Sequence, residues 1–332
     1  MALDNPSKQV VLLDLSIQGD ASVFLLGGVA EPSACVKGVR TRGAEKIAAL
    51  RPGVSRFVNH VLETPTTPTP TPTKSFWRGS SLAPQPPPKP TLRWQDFAVK
   101  PSEVHPEGGA PQNFWIIHGG KDVLLGLQPD VSLEELSTAL RAAFDTMHDT
   151  IVIIDTDAEL SERGASLAGI AAADSLALVL SSSWTDYLRT LDDPVNSLFD
   201  ALKFLSTQSN IKLRAKIEHV VVNDVFKTKS APCGVLSFTP SKVSDKAIAD
   251  IVAHLFSMTA DPSTGYAKFF GPKDCLASVE KFTRAQLVGV STVPESVWQA
   301  SWTNGEPVVV RPTSDAHETA AIQYETVAKR FV

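Results

Sequence analysis

The chain has 332 residues, 43% of them hydrophobic and 20% charged, with a formal net charge of −5 and a pI near 5.8. That length holds one large α/β domain or two smaller ones, and the apolar content is ample for a core. The acidic balance argues against a generally basic, nucleic-acid-coating surface, and no run of about 18 apolar residues is present to span a membrane.

The first element comes almost at once. Residues 9–14 are an apolar run that ends in Asp14 and passes into a polar turn, Gln18-Gly19-Asp20. A buried parallel strand delivers a carboxylate to the rim of an α/β sheet in this way. Proline then takes over, with twelve of the 24 prolines lying between Pro65 and Pro111. Residues 64–73 read TPTTPTPTPT and 83–90 read APQPPPKP, which lack backbone donors and favour extended polyproline II over packing. Residues 31–111 are therefore read as an insertion, with short helices near 44–50 and 55–62. Its 64–111 part has too little apolar content to offset its ordering entropy, so it is expected to be mobile and protease-sensitive.

An α/β rhythm follows. A short strand over 114–118 runs into Gly119-Gly120, read as a sharp turn. Ser132 opens a helix to about 147, with Glu135 completing a capping box and Leu133, Leu136, Leu140 and Phe144 on its inner face. The spacing predicts a strand over 150–155 ending in Asp155, a helix over 161–172, a strand over 176–180 and a helix over 184–205 that Pro194 must start or kink. It further predicts a strand over 217–223, a helix over 244–258, a strand over 287–292 and a closing helix over 315–331. Strands alternating with helices give a doubly wound, mostly parallel sheet. The domain reading is 1–30 as the start of one α/β domain, 31–111 as the insertion and 112–332 as the remainder.

In such sheets ligands bind where strands deliver their C-terminal ends. Three of these ends carry polar groups: Asp14, Asp155 with Thr156, and Asn223 with Asp224. Acids so placed suit Mg²⁺, which takes one or two carboxylates, waters and phosphate oxygens. One such acid alone is commonplace, as a solvated strand end or a helix cap. Seven histidines are scattered without a His-x-His or His-Glu-x-x-His pattern, and there is no Gly-x-Ser-x-Gly elbow. Cys35, Cys233 and Cys275 are odd in number and far apart, which suits a reduced intracellular, cytoplasmic setting. Lys227, Lys229 and Lys242 are too few to argue for DNA binding. Trp298 and Trp302 share one helix face as a core or interface pair, and 84–90 reads as a spacer.

Five segments in order carry a resemblance. The 9–22 stretch resembles the second strand of ParA/MinD-type (SIMIBI-class) P-loop ATPases, which reads apolar–Asp-x-Asp-Pro-Gln-Gly-Asn-x-Ser. Ile151-Val-Ile-Ile-Asp-Thr156 looks like the family's Walker B strand. Ala171-Ala-Ala-Asp174 before a strand, Val220-Val-Val-Asn223, and Ser291-Thr-Val-Pro-Glu-Ser-Val297 with Gly305-Glu-Pro-Val308 match further family motifs. The resemblance covers about 9–28 and 113–331. It implies a P-loop NTPase-like fold that uses ATP and Mg²⁺. Asp14 would lie near the metal and its waters, and Asp155 would hold Mg²⁺ through water. Asn223 would bond the adenine edge, with the backbone around Pro294 and Glu295 flanking the base. It also implies a homodimer that engages a cargo-adaptor protein or non-specific DNA.

The departures from the pattern matter as much. No Gly-x-x-x-x-Gly-Lys-Ser/Thr occurs, so the backbone cradle, the phosphate lysine and the Mg²⁺ hydroxyl are missing from the sequence. A second lysine of that loop, which reaches across the family dimer, is missing too. The family's hydrolysis-linked Asp is Ser16, which cannot orient water as a carboxylate does. Asp157-Ala158 replaces the family's Pro-Pro. Two explanations stay open. The chain is a fragment or truncated gene model of a partitioning or positioning ATPase, or it is a non-hydrolysing paralogue used for interaction. Starting so close to a central strand favours the first, and Ser16 favours the second.

Overall fold

The computed structural model describes residues 7–16, 21–22, 25, 53–63, 93–104, 111–119, 131–156, 165–184, 187–188, 197–208, 210–293 and 315–329. Two three-stranded parallel sheets form its centre. The first is built on β1 (Gln9–Asp14), which pairs with β2 (Phe114–Ile117) on one side and β3 (Thr150–Asp155) on the other. β1 is a continuous apolar run because both its faces are covered. Val11, Leu13 and Leu15 face one cluster with Ile117, Val152 and Ile154. Leu12 and Ile116 face the other way, with Val99 and Leu25.

Helices α1 (Val54–Glu63) and α2 (Leu133–Asp145) cover the first of these faces. The α2 N-terminus is closed as the sequence predicts. Ser132 Oγ accepts from the Glu135 N–H at 3.2 Å, and the Ser132 N–H donates to Glu135 Oε2 at 2.9 Å. That bonding holds the exposed Glu135 carboxyl below its ordinary range. Two segments inside the 31–111 stretch are part of this core. Val54, Phe57, Val58 and Val61 of α1 are buried, as are Phe97, Ala98 and Val99. Val99 forms an antiparallel bridge to Ile116, so the 93–104 segment is tied to the edge of β2.

The second sheet has the order β4 (Ser175–Ser181), β5 (Lys216–Val225), β8 (Leu287–Ser291), all parallel. One face packs on α4 (Leu198–Thr207), α5 (Lys242–Ala260) and α6 (Val279–Gln286) around Leu180, Val220, Val222, Phe199, Leu255 and Phe282. The other face meets α7 (Asp315–Ala328) through Val221, Val288, Val290, Tyr324 and Val327. A two-stranded ribbon of β6 (Lys227–Lys229) and β7 (Thr239–Pro240) sits beyond the end of β5.

Helix α3 (Ala165–Ala172) joins the sheets, and all eight of its residues are buried. Ala165, Ala168 and Ala172 belong to the first sheet's cluster, while Leu167, Ile170 and Ala171 belong to the second's. Its Gly169 is required for that approach, because a Cβ there would lie 2.7 Å from Leu15 Cδ1 and 3.0 Å from Ile154 Cγ2.

The expected elements appear with shifted ends. The helix expected over 184–205 is described as Leu198–Thr207, with residues 184 and 187–188 also helical, and Pro194 lies outside the described residues. The helix near 44–50, Gly120, and Trp298 with Trp302 also lie outside them. Helix α6 and the β6–β7 ribbon were not expected.

Candidate functional site

Asp14 and Asp155 are direct partners in the β1–β3 ladder, so the ends of adjacent parallel strands bring two acids together at one edge. Neighbouring strands are about 4.8 Å apart, and paired residues project to the same face. The two acids have different surroundings. Asp14 is fully buried. Its Oδ1 accepts from the Ser16 N–H at 3.0 Å, and its Oδ2 accepts from the Ser22 N–H at 3.0 Å and the Ser22 hydroxyl at 2.5 Å. Ser22 Oγ in turn accepts from the Gly119 N–H at 3.0 Å. A Cβ on Gly119 would lie 2.3 Å from the Asp14 carbonyl oxygen, so only glycine lets the chain leaving β2 pass this close. Asp14 thus binds the loop after β1 and the turn after β2 into one rim. Ser16, also buried, meets Asp14 through its backbone N–H. Asp155 is half-buried at the same edge, and its carbonyl accepts from the Leu15 N–H at 2.9 Å.

Asn223 lies at the end of β5, opposite Ser181 of β4. The β5–β8 register shifts between Val222 and Val225, and Asp224 there has φ of 59°, a left-handed conformation that Asp tolerates better than most residues. This bulge turns Asn223 and Asp224 out to solvent. The Asn223 carbonyl accepts from the Ser182 N–H at 3.1 Å, and the Asp224 carbonyl accepts from Ser182 Oγ at 3.0 Å. Next to it the Thr292 N–H donates to the Val225 carbonyl at 2.9 Å, and Thr292 Oγ1 is buried with no hydrogen bond. Ser291 donates through both N–H and Oγ to Gln323 Oε1, which ties α7 to the end of β8. Pro294, Glu295, Asp157 and Glu159 lie outside the described residues.

Among the described residues no group of three or more His, Cys, Asp or Glu is placed to hold a metal ion. Both Asp14 oxygens accept hydrogen bonds from Ser16 and Ser22, and the half-buried Asp155 stands beside it at the strand ends. Ser22 and the β5 bulge were missed in the sequence, and Gly119 was read only as part of a sharp turn. Ser22 does stand at the position of the family's Asn-x-Ser serine, and that offset was the available signal. Lys227, Lys229 and Lys242 are exposed on and beside the β6–β7 ribbon. No described helix is long and apolar enough to cross a membrane.

No protein-family model matches the chain, and no curated protein matches it by sequence. Solved structures do. Apo McdA from Cyanothece superposes with a TM-score of 0.52 at 14% identity, covering 99% of this chain and 90% of its own. A ParA family ATPase from Chlorobium tepidum gives 0.46 at 12% identity, covering 96% and 85%. The septum site-determining protein MinD from Pyrococcus horikoshii, complexed with Mg-ADP, gives 0.43 at 12% identity, covering 99% and 86%. At these identities the likeness is one of fold, and the first superposition carries it.

Proposed function

From the mixed α/β, P-loop NTPase-like fold with its ParA/MinD-type likeness, we propose that these residues form a nucleotide-binding domain of that type which lacks the equipment to hydrolyse ATP by itself. The observation that carries the reading is the register of Asp14 and Asp155 at the ends of neighbouring parallel strands. In this reading Asp155 holds Mg²⁺ when it is bound with nucleotide phosphate. Asp14 fixes the loop after β1 and the turn after β2 beside Asp155, and Asn223 offers its exposed amide to the base. Pro294 and Glu295 belong to the base site through the sequence resemblance alone. The metal supplies charge for the phosphates, and the chain's own residues position and bind. Homodimerisation and a cargo-adaptor or DNA partner follow from the same resemblance.

Most triphosphate contacts in such folds come from a glycine-rich cradle with a lysine, and the sequence has none. Titration of the 332-residue chain with ATP and Mg²⁺ is expected to give a Kd no tighter than roughly 100 µM, about −5.5 kcal/mol. Micromolar binding overturns the reading of the phosphate site. The second reading, a non-hydrolysing interaction protein, is favoured by Ser16, which gives the rim no carboxylate at that position. In a form extended by a phosphate loop, hydrolysis that appears only with Ser16→Asp selects the second reading, and hydrolysis with Ser16 intact selects the fragment.

A further inference from the structure

Sheet two carries a row of cations at the end opposite Asn223. The chain enters β5 through residues 211–215, which run without a turn or bend. Leu213 and Ile217 turn toward the second core, and Ala215 is buried between them. Lys212, Arg214 and Lys216 take the alternate positions, where Lys212 and Arg214 are exposed and Lys216 is half-buried. Alternate residues of an extended chain repeat at about 6.6 Å, so the three cations stand in a line.

Two further lysines flank the row. Lys216 Nζ donates to the Lys268 carbonyl, Lys268 Nζ donates to Ser206 Oγ at 3.0 Å, and Lys203 Nζ lies 4.4 Å from the Tyr266 ring centroid. These contacts hold the ammonium groups in place with neutral partners. Among the described residues none of the five cations forms an ion pair. Acids border the row: Glu218 accepts from Ser175 Oγ at 2.8 Å, and Glu134 accepts from Asn210 Nδ2 at 3.0 Å. In a chain of net charge −5, five unpaired cations in one place are a local reversal of sign. The backbone N–H and C=O groups of Lys212, Leu213 and Arg214 also make no hydrogen bond among the described residues.

We infer that residues 211–216 are a docking strip for an extended acidic peptide segment of a partner protein, with Asp or Glu at alternate positions. Such a peptide has the same repeat as the strip, so its carboxylates meet Lys212, Arg214 and Lys216 in register. Arg214 offers a fork that a carboxylate accepts with both oxygens. The open backbone groups of 212–214 supply main-chain hydrogen bonds, as in recognition of extended peptides by strand addition. A peptide fits better than a nucleic-acid strand for two reasons. A phosphodiester has no donor for the open carbonyls. Bases need an aromatic face to stack on, and the Tyr266 ring already has Phe199 stacked at 4.4 Å and Lys203 beside it. The strip lies at the far end of β5 from Asn223, so the inference goes beyond the proposed nucleotide site and does not depend on it.

The test uses the whole chain without nucleotide and fluorescein-labelled peptides of about eight residues, read by anisotropy. One peptide alternates Glu with Thr. A second carries the same residues as a Glu block followed by a Thr block. An oligothymidylate of equal charge is the third ligand. The alternating peptide is expected to bind saturably, at least about tenfold tighter than the other two, and to weaken as salt rises. It is also expected to slow amide exchange at 212–214, which the block isomer does not. Lys212→Glu with Arg214→Glu is expected to weaken binding at least about tenfold, whereas Lys227→Glu with Lys229→Glu, beyond the other end of β5, leaves it unchanged. Three results overturn the inference. Equal binding of the two peptides to the unsubstituted chain makes the strip a diffuse charge with no register. Tighter binding of the oligothymidylate makes it a nucleic-acid surface. Binding that is indifferent to the Lys212 and Arg214 reversal places the peptide elsewhere.

Discussion

Asp14 shows how one buried carboxylate organises a rim. Three donors converge on it, one of them relaying to Gly119, and no water is needed to satisfy them. Asp14→Ala strands the Ser16 and Ser22 N–H groups in a buried site, at about 1–3 kcal/mol for each unsatisfied group. Asp14→Asn keeps one acceptor and turns an NH₂ toward the other donor, so it is expected to cost less than alanine. Urea unfolding of the pair gives the order directly, and an alanine variant with an unchanged midpoint sinks the clamp role. The cysteines offer a second test at this scale. Burial pushes the Cys275 thiol up, while Cys233 is exposed. In the native chain a thiol reagent is expected to modify Cys233 and to reach Cys275 only after unfolding. Equal native rates at the two contradict the burial of Cys275, whose Sγ accepts from the buried Gln286 Nε2 at 3.6 Å.

Helix α7 links an element to pH. Burial raises the Tyr324 phenol to about 12, above its ordinary value near 10. Tyr324 packs with Val221, Val288 and Val290 on the sheet face that α7 covers. A raised folded value means that the native state holds the proton more tightly than the unfolded chain does. The contribution is complete below about pH 10, and it is lost as pH climbs from about 10 to 12. Unfolding midpoints are expected to fall across that window, and Tyr324→Phe is expected to flatten the fall. An unchanged slope assigns the alkaline loss to other groups.

Periodicity made most such elements legible: β1, β3 and β5 as apolar runs, and α2 by its Ser132 and Glu135 signature. The acids at the strand ends were legible for the same reason, because each ends a run. Three features were not. The helix near 55–62 was legible as an element, but the packing of 54–63 and 93–104 into the core was not, because their partners lie far away in sequence, such as Ile116 for Val99. The β5 bulge depends on a backbone conformation that Asn223-Asp224 permits but does not announce. The division of the described strands into two three-stranded sheets is a property of pairing, and each strand reads normally by itself.

At the scale of the molecule, two cores share one helix, so stability is expected to be transmitted through α3. Sheet one carries Trp94 and Trp115, in contact with each other at 5.4 Å between ring centroids. Trp184 lies near sheet two, 5.0 Å from Tyr187 and 5.6 Å from His254. Chains that retain Trp115 or Trp184 as the sole tryptophan then report each half separately. If α3 couples them, both reporters give one urea midpoint, as a cooperative domain does. Phe57→Ala, in the core of sheet one, removes about 3–5 kcal/mol and is expected to lower both midpoints together. Gly169→Val acts differently. Its added carbons meet Leu15 and Ile154 on sheet one, and the nearest of these contacts is too short to absorb without moving α3. The Trp115 transition is therefore expected to move to lower urea ahead of the Trp184 transition, with a smaller m-value for each because less surface is exposed in each step. Two transitions that stay superimposed in Gly169→Val place the coupling elsewhere than α3. Separate transitions already present in the unsubstituted chain mean that the two sheets are independent before α3 is disturbed.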